Sequence, residues 1–274
     1  MIIWIMIGFA ILQGVLEWLP VSSSGQTILI LNEALNMEAN VALSLSLWLH
    51  LGTLIAVFVK YRKELWFYIN LKNQEENIKK WRLFLVLSTL GTIIVGIPCY
   101  FLVDYFIASP DFGDYSTLVI GIALLVTAII LFISNRENVE GEPLQDISKK
   151  KMVGSGLLQG FSIIPGLSRS GITMGGLLMM NVEKNDAIQG SFLMSIPAVL
   201  GGFILSLAGA IFDGTNIFPI AWWQLIIAIL ITAVIGYLTM ELFVHIARKF
   251  NFAIICLVLG LLAIILFSLR WIVS

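Results

Sequence analysis

Pro20-Val21-Ser22-Ser23-Ser24-Gly25-Gln26 interrupts an apolar stretch running from residue 2 to residue 34, and Pro165-Gly166-Leu167-Ser168-Arg169-Ser170-Gly171 interrupts another within residues 152–180. Each break sets a proline, a glycine and several hydroxyls near the middle of its segment. Neither resulting half is long enough to cross a bilayer, which takes about 20 apolar residues. Each segment is therefore predicted to be a re-entrant helix–loop–helix hairpin that enters and leaves on one side. Irregular backbone at membrane depth persists only where it is buried in protein or lines a wet cavity. The two breaks are also copies of one another. At a constant offset of 146, Gln13, Gly14, Ser22, Ser24, Gly25 and Thr27 fall on Gln159, Gly160, Ser168, Ser170, Gly171 and Thr173. Six identities without a gap mark an internal repeat. It divides a single integral membrane domain into halves of about 1–145 and 146–274.

The rest of the chain agrees with a membrane setting. Of 274 residues, 59% are hydrophobic and only 12% charged, with a mean hydropathy of +0.97. A soluble domain carries roughly 25% charged residues, so an ordinary globular enzyme is excluded. The 16 basic and 17 acidic residues nearly cancel, which excludes a nucleic-acid partner or a disordered chain. Cys99 and Cys256 each sit in an apolar run and are expected to pack, without a disulfide or metal role. Met1 to Leu12 lacks a basic start and a small-residue cleavage site, so it is read as a retained membrane segment.

Six further runs are long enough to span: 41–59, 83–103, 116–134, 187–211, 219–243 and 252–272. The expected fold is thus an all-α polytopic membrane protein of about six transmembrane helices plus the two hairpins. Three spans follow the first hairpin, which places the second half on the opposite side, as in inverted-topology repeats. Charge supports that count. Lys60, Arg62, Lys63, Lys72, Lys79, Lys80 and Arg82, then Arg136 and Lys149 to Lys151, then Lys184, Arg248 and Lys249, all fall on one side. Loops 104–115 and 212–218 hold Asp104, Asp111, Asp114 and Asp213 with no lysine or arginine. By the positive-inside rule the basic face is cytoplasmic and both termini are extracytoplasmic. The expected location is the plasma membrane.

Away from span ends, Glu17 and Arg169 are the ionised groups within apolar segments. A charge at that depth costs about 2.5–3.5 kcal/mol on insertion scales, so it persists when paired or functional. The pair admits two readings, a salt bridge locking the hairpins together or a shared polar site. Gln13 and Glu17 share a helix face. The five hydroxyls of Ser22, Ser23, Ser24, Ser168 and Ser170 stand where helices restart, and helix starts favour anions. Arg169 adds a fork matched to phosphate. The combination predicts an anion site, for phosphate, where the hairpin tips meet. His50, in the span 41–59, is read either as an interhelical hydrogen-bond partner or as a support beside that site, and His245 as interfacial. The eight Trp and 17 Phe are assigned mostly to lipid-facing and belt positions. No Walker loop, dinucleotide fingerprint or Cys/His metal cluster occurs in the sequence.

The segment Gln13-Gly14-Val15-Leu16-Glu17-Trp18-Leu19-Pro20-Val21-Ser22-Ser23-Ser24-Gly25 resembles the first signature of the undecaprenyl-diphosphate phosphatases of the BacA/UppP type. Pro165-Gly166-Leu167-Ser168-Arg169-Ser170-Gly171-Ile172-Thr173 resembles their second signature, and Leu49 to Thr53 and Ser191 to Ala198 are similar to further family segments. The resemblance covers essentially the whole chain. It implies a membrane hydrolase that removes the terminal phosphate of a polyprenyl diphosphate and so regenerates a carrier lipid for envelope glycan synthesis. The sequence departs from the family at two places. Gln13 stands where the family usually has a first Glu, and Gln26 stands where it usually has His. An amide has no useful proton chemistry, so a phosphohistidine route through position 26 is excluded and a two-carboxylate metal site is weakened.

On this reading Arg169 holds the diphosphate, and Glu17 acts as general base or binds a divalent cation, Mg²⁺ or Ca²⁺. Ser23, with Ser24 next, or an activated water, is the nucleophile. Gln13 and Gln26 orient phosphate or water, and Ser22, Gly25, Ser168, Ser170, Gly171 and Thr173 bind substrate. The expected partners are the lipid substrate and membrane lipids, and a homodimer is compatible with the sequence. The alternative is a non-hydrolytic carrier that moves polyprenyl phosphate or a related anionic lipid across the membrane, motivated by the inverted repeats and the missing His.

Overall fold

Long uninterrupted apolar runs form long helices here, and the two hydroxyl-rich breaks form turns. The computed structural model describes residues 2–31, 39–107, 112–134, 141–212, 221–246 and 251–273. In order they build α1 (Ile2–Leu16), α2 (Ser23–Leu29), α3 (Ala39–Lys60), α4 (Arg62–Ile69), α5 (Glu76–Ile107), α6 (Phe112–Ser134), α7 (Lys149–Gly160), α8 (Arg169–Met179), α9 (Lys184–Phe212), α10 (Trp222–Ile246) and α11 (Phe252–Val273). Six of them are long and apolar enough to cross a membrane, namely α3, α5, α6, α9, α10 and α11, at the six expected positions. The protein is an all-α polytopic membrane protein. Among the described residues the sole β pairing is an isolated bridge between Glu142 and Val182.

Both breaks fall where the sequence places them. α1 ends at Leu16, and α2 restarts behind Ser22, whose backbone adopts the left-handed φ of 58°. α7 ends at Gly160 and passes through a 3₁₀ turn, Phe161–Ile163, before α8 restarts behind Ser168. Gly166, at φ +96°, makes that second turn sterically easy. With 15 and 7 residues in the first pair and 12 and 11 in the second, each helix is short. Pro98 and Pro197, by contrast, sit inside α5 and α9 without ending them.

The packing exchanges elements between the halves. α1 lies against α10, and α7 lies against α5. The second crossing is backbone-close: a Cβ on Gly156 of α7 would sit 2.8 Å from the Ser88 Cα on α5. α3 meets α9, and α6 meets α11, so spans of one half are completed by spans of the other. One apolar core gathers Trp18, Phe84, Phe192 and Phe243. A second joins Met6, Ile28, Leu49, Ile120 and Leu225.

The basic end is more structured than a loop. α5 begins at Glu76, well before its apolar part, because residues 76–82 contain helix formers and no breaker. Its Trp81 stacks on Tyr68 of α4 at 5.7 Å. Lys80 pairs with Asp146 at 2.9 Å, Lys151 with Glu142 at 2.6 Å, and Asp186 accepts from the Leu144 N–H at 2.8 Å. These contacts tie Lys80 of α5, Lys151 of α7 and the start of α9 to the segment 142–146 between them. Arg136, Asp111, Asp213, Arg248 and Lys249 lie outside the described residues, as do the side chains of Asp114 and His245. Trp4, Trp66 and Trp222 are exposed as a belt reading expects, whereas Trp18 is buried, with its indole N–H donating to the Gly236 carbonyl at 2.8 Å. Cys256 is buried and donates its S–H to the Pro20 carbonyl at 2.7 Å, and neither cysteine is in a disulfide.

Candidate active site

The turn after α1 holds Glu17 below the first hairpin tip, still hydrogen-bonded through its backbone N–H to the Gln13 carbonyl at 3.0 Å. Four side chains converge on its carboxylate. Oε2 accepts from Gln13 Nε2 at 2.7 Å and from Ser23 Oγ at 2.8 Å, and lies 3.2 Å from His50 Nε2. Oε1 pairs with Arg169 Nη2. The Glu17 side chain is 3% exposed and that of Arg169 13%, so the pair is buried within the bundle.

Arg169 is the first residue of α8, and its position is set from behind. Ser168 caps the helix by accepting from the Gly171 N–H at 3.2 Å, and its own N–H donates to Thr127 Oγ1 on α6 at 3.2 Å. Thr173 Oγ1 donates to the Arg169 carbonyl at 2.7 Å and sits 2.5 Å from Ser191 Oγ of α9. Arg169 Nη1 donates to the Ser191 carbonyl at 3.4 Å. The hairpins also touch directly. Ser170 Oγ donates to the Leu19 carbonyl at 3.2 Å. A Cβ on Gly171 would sit 3.0 Å from Pro20 Cβ, and one on Gly25 would sit 3.0 Å from Gly166 Cα, so glycine at both positions lets the tips pack this closely.

Between the tips lies a cavity of about 40 Å³, lined by Glu17, Ser22 to Ser24, His50, Ser162 and Ser168 to Ser170, with Leu19 and Leu167. That volume holds about two or three water molecules. Opening the Arg169–Glu17 pair would turn the guanidinium to an anion in this cavity and release Glu17 Oε1. Chemically the site offers a hydroxyl hydrogen-bonded to a carboxylate, the pairing of a nucleophile with its base. Beside it stands a cation placed to bind phosphate oxygens.

The family model of Bacitracin resistance protein BacA matches residues 6–262. The chain belongs to the BacA family. Its relatives in that family include a protein of Methanothrix thermoacetophila, 38% identical over 262 residues that cover 94% of each chain. Another, from Methanococcoides burtonii, is 37% identical, covering 93% of this chain and 94% of its own. A third, from Oceanobacillus iheyensis, is 33% identical over 96% of this chain and 97% of its own. All three carry the name undecaprenyl-diphosphatase.

Set against the BacA signatures, most expected site residues come together and some do not. Glu17, Ser22, Ser23, Ser24, Ser168, Arg169 and Ser170 line the cavity. Gln13 and Thr173 stand one layer behind it, the first holding Glu17 and the second holding the start of α8. Gly25 and Gly171 serve the close approach of the tips. Gln26 is turned away: its amide donates to the Val21 carbonyl at 3.4 Å, and it does not line the cavity. The two readings of the charged pair merge, since the salt bridge exists and is itself a wall of the cavity. Ser162, Leu19 and Leu167 line the cavity without having been singled out in the sequence, where nothing marks them except nearness to the breaks. Its mid-span position and the family likeness of Leu49 to Thr53 were the signals for His50.

A divalent cation does not fit these residues as they are arranged. The cavity offers one carboxylate, and both its oxygens are engaged, one by a guanidinium. Among the described residues no group of three His, Cys, Asp or Glu side chains could hold a metal ion. Hard cations take carboxylate, carbonyl and water oxygens, and a neighbouring Arg⁺ repels them.

Proposed function

We propose that this chain is a polyprenyl-diphosphate phosphatase, acting on undecaprenyl diphosphate or a close relative and returning polyprenyl phosphate and inorganic phosphate. The observation that carries the reading is the contact of Ser23 Oγ with Glu17 Oε2 at 2.8 Å beside Arg169. The terminal phosphate displaces Glu17 from Arg169 and takes the guanidinium fork. Ser23 Oγ then attacks the terminal phosphorus and passes its proton to Glu17. The bridging P–O bond breaks, and its electron pair leaves with polyprenyl phosphate. Water next attacks the phosphoserine, the Oγ–P bond breaks, and Oγ recovers its proton from Glu17. Arg169 neutralises charge on the transferred phosphoryl in both steps. No step is assigned to a metal.

The prenyl tail lies among the spans. The protein sits in the plasma membrane as two inverted repeats, with the basic end cytoplasmic and both termini outside, as the distribution of lysine and arginine supports. Every residue assigned a role comes from one chain, and a homodimer stays compatible with that. The test is phosphate release from undecaprenyl diphosphate by the purified protein, with Mg²⁺, with Ca²⁺ and with EDTA. Release in all three, lost in Arg169→Ala, is the expected result. Tight lipid binding without release, together with lipid transfer across vesicles, would replace the phosphatase with the carrier.

A further inference from the structure

His50 reaches the cavity from α3, a span that contributes no other lining residue, and it is fixed at both ring nitrogens. Its Nδ1–H donates to the Ser46 carbonyl, one turn earlier in α3, at 2.6 Å. Its Nε2 lies 3.2 Å from Glu17 Oε2, the same oxygen that accepts from Ser23 and Gln13. A carbonyl and a carboxylate only accept, so the two contacts together take both N–H groups of the protonated ring. The side chain is 17% exposed, on the cavity side. The other polar groups around it are those of the hairpins: Gln13 and Glu17 from the first, Ser23 from α2, and Arg169 from α8.

These contacts differ in what happens when substrate arrives. In the proposed reaction Arg169 leaves Glu17 to bind phosphate, and Ser23 gives up its proton. Gln13 and His50 are then the groups still holding the carboxylate. Gln13 holds it from its own helix one turn back, whereas His50 holds it from a separate span. We infer that His50 is a positioning residue for the reaction, its Nε2–H keeping Glu17 Oε2 against Ser23 Oγ while Arg169 turns to the phosphate. Its role runs through Glu17. The inference rests on the phosphatase reading and deepens it. It places a histidine at the site from α3, although position 26 carries a glutamine that faces away.

Amide variants separate the two ring contacts. In His50→Gln the side-chain amide can reach Glu17, and in His50→Asn it can reach only toward Ser46. With undecaprenyl diphosphate as substrate, His50→Asn is expected to lower kcat by about 10- to 100-fold with KM within about two-fold, the loss that misplacing a reacting group causes. His50→Gln is expected to stay within about five-fold of wild type. Wild-type phosphate release is established first, and its absence would remove the phosphatase reading itself. Given wild-type turnover, an unchanged kcat in folded His50→Asn would overturn the inference. So would an equal loss in both variants, because it would mean that the ring and not the donor is needed. Should His50→Asn not fold, His50→Ala with and without added imidazole decides the same point: returned turnover supports the contact, and none refutes it.

Discussion

Removing Arg169 should cost the protein stability and activity by separable routes. In Arg169→Met, Glu17 keeps Gln13, Ser23 and His50 but loses its fourth partner. Breaking a buried pair by deleting one side typically costs about 3–5 kcal/mol. Here three partners stay, so the loss is nearer that of one hydrogen bond to a charged group, about 1.5–3 kcal/mol. Melting should therefore fall by several degrees. Turnover should fall by about 10²–10³, the cost of removing one group that stabilises transition-state charge. Adding Glu17→Gln in the same chain removes the stranded charge, so the double variant should recover most of the lost stability. It should recover none of the turnover. The assay is thermal unfolding in detergent alongside phosphate release from undecaprenyl diphosphate. A double variant that regains turnover along with stability would show the pair to be a lock between hairpins and nothing more. A single variant with unchanged melting would refute the energetic argument.

Two further outcomes follow from the geometry. Ser23→Ala should lower kcat at least 100-fold with little change in KM and abolish any phosphate-labelled enzyme in a quench experiment. Ser24→Ala, which lines the cavity without a described contact to Glu17, should lose far less. Gly156→Val puts side-chain carbon against the α5 backbone at Ser88, and overpacking of this kind costs about 1–3 kcal/mol. It should lower the melting temperature and, because α7 carries the second hairpin, turnover with it.

Much of the fold was legible because a bilayer imposes simple rules. A run such as 252–272 has no partner for its backbone except itself, so it is a helix, and its length decides that it can span. The breaks were legible for a more specific reason. Pro98 and Pro197 show that a proline alone does not end a helix here. α1 and α7 end ahead of Pro20 and Pro165, and what marks each break is a hydroxyl able to cap a restart, as Ser22 and Ser168 do by accepting from the N–H of Gly25 and Gly171. The helical start of α5 and the contacts of the basic end were hidden, because charges interrupt residues 60–82 too often for an apolar run of spanning length. The burial of Trp18 was hidden too, since an apolar ring fits a lipid belt and a protein core equally well.

At the site, the repeat explains what could be read and what could not. At the offset of 146, Glu17 falls on Ile163 and Arg169 falls on Ser23. The acid and the base are thus not equivalent positions of the two copies. Each copy carries a charge where the other carries a neutral residue, and that is why the two hairpins build one site and not two. Sequence alone could find both charges, since an unpaired charge at membrane depth is costly. It could also bring them together by requiring the hairpin tips to meet. It could not assign the histidine, because position along a span does not tell which neighbour a side chain faces. His50 lies on α3, which packs against α2 of its own half and α9 and α10 of the other, and only the three-dimensional crossing decides that its ring points at Glu17. Gln26 instead donates to its own hairpin's backbone at Val21. The consequence is that an amide at position 26 leaves the hydrogen bonding of Glu17 intact, and the proposed reaction assigns it no role.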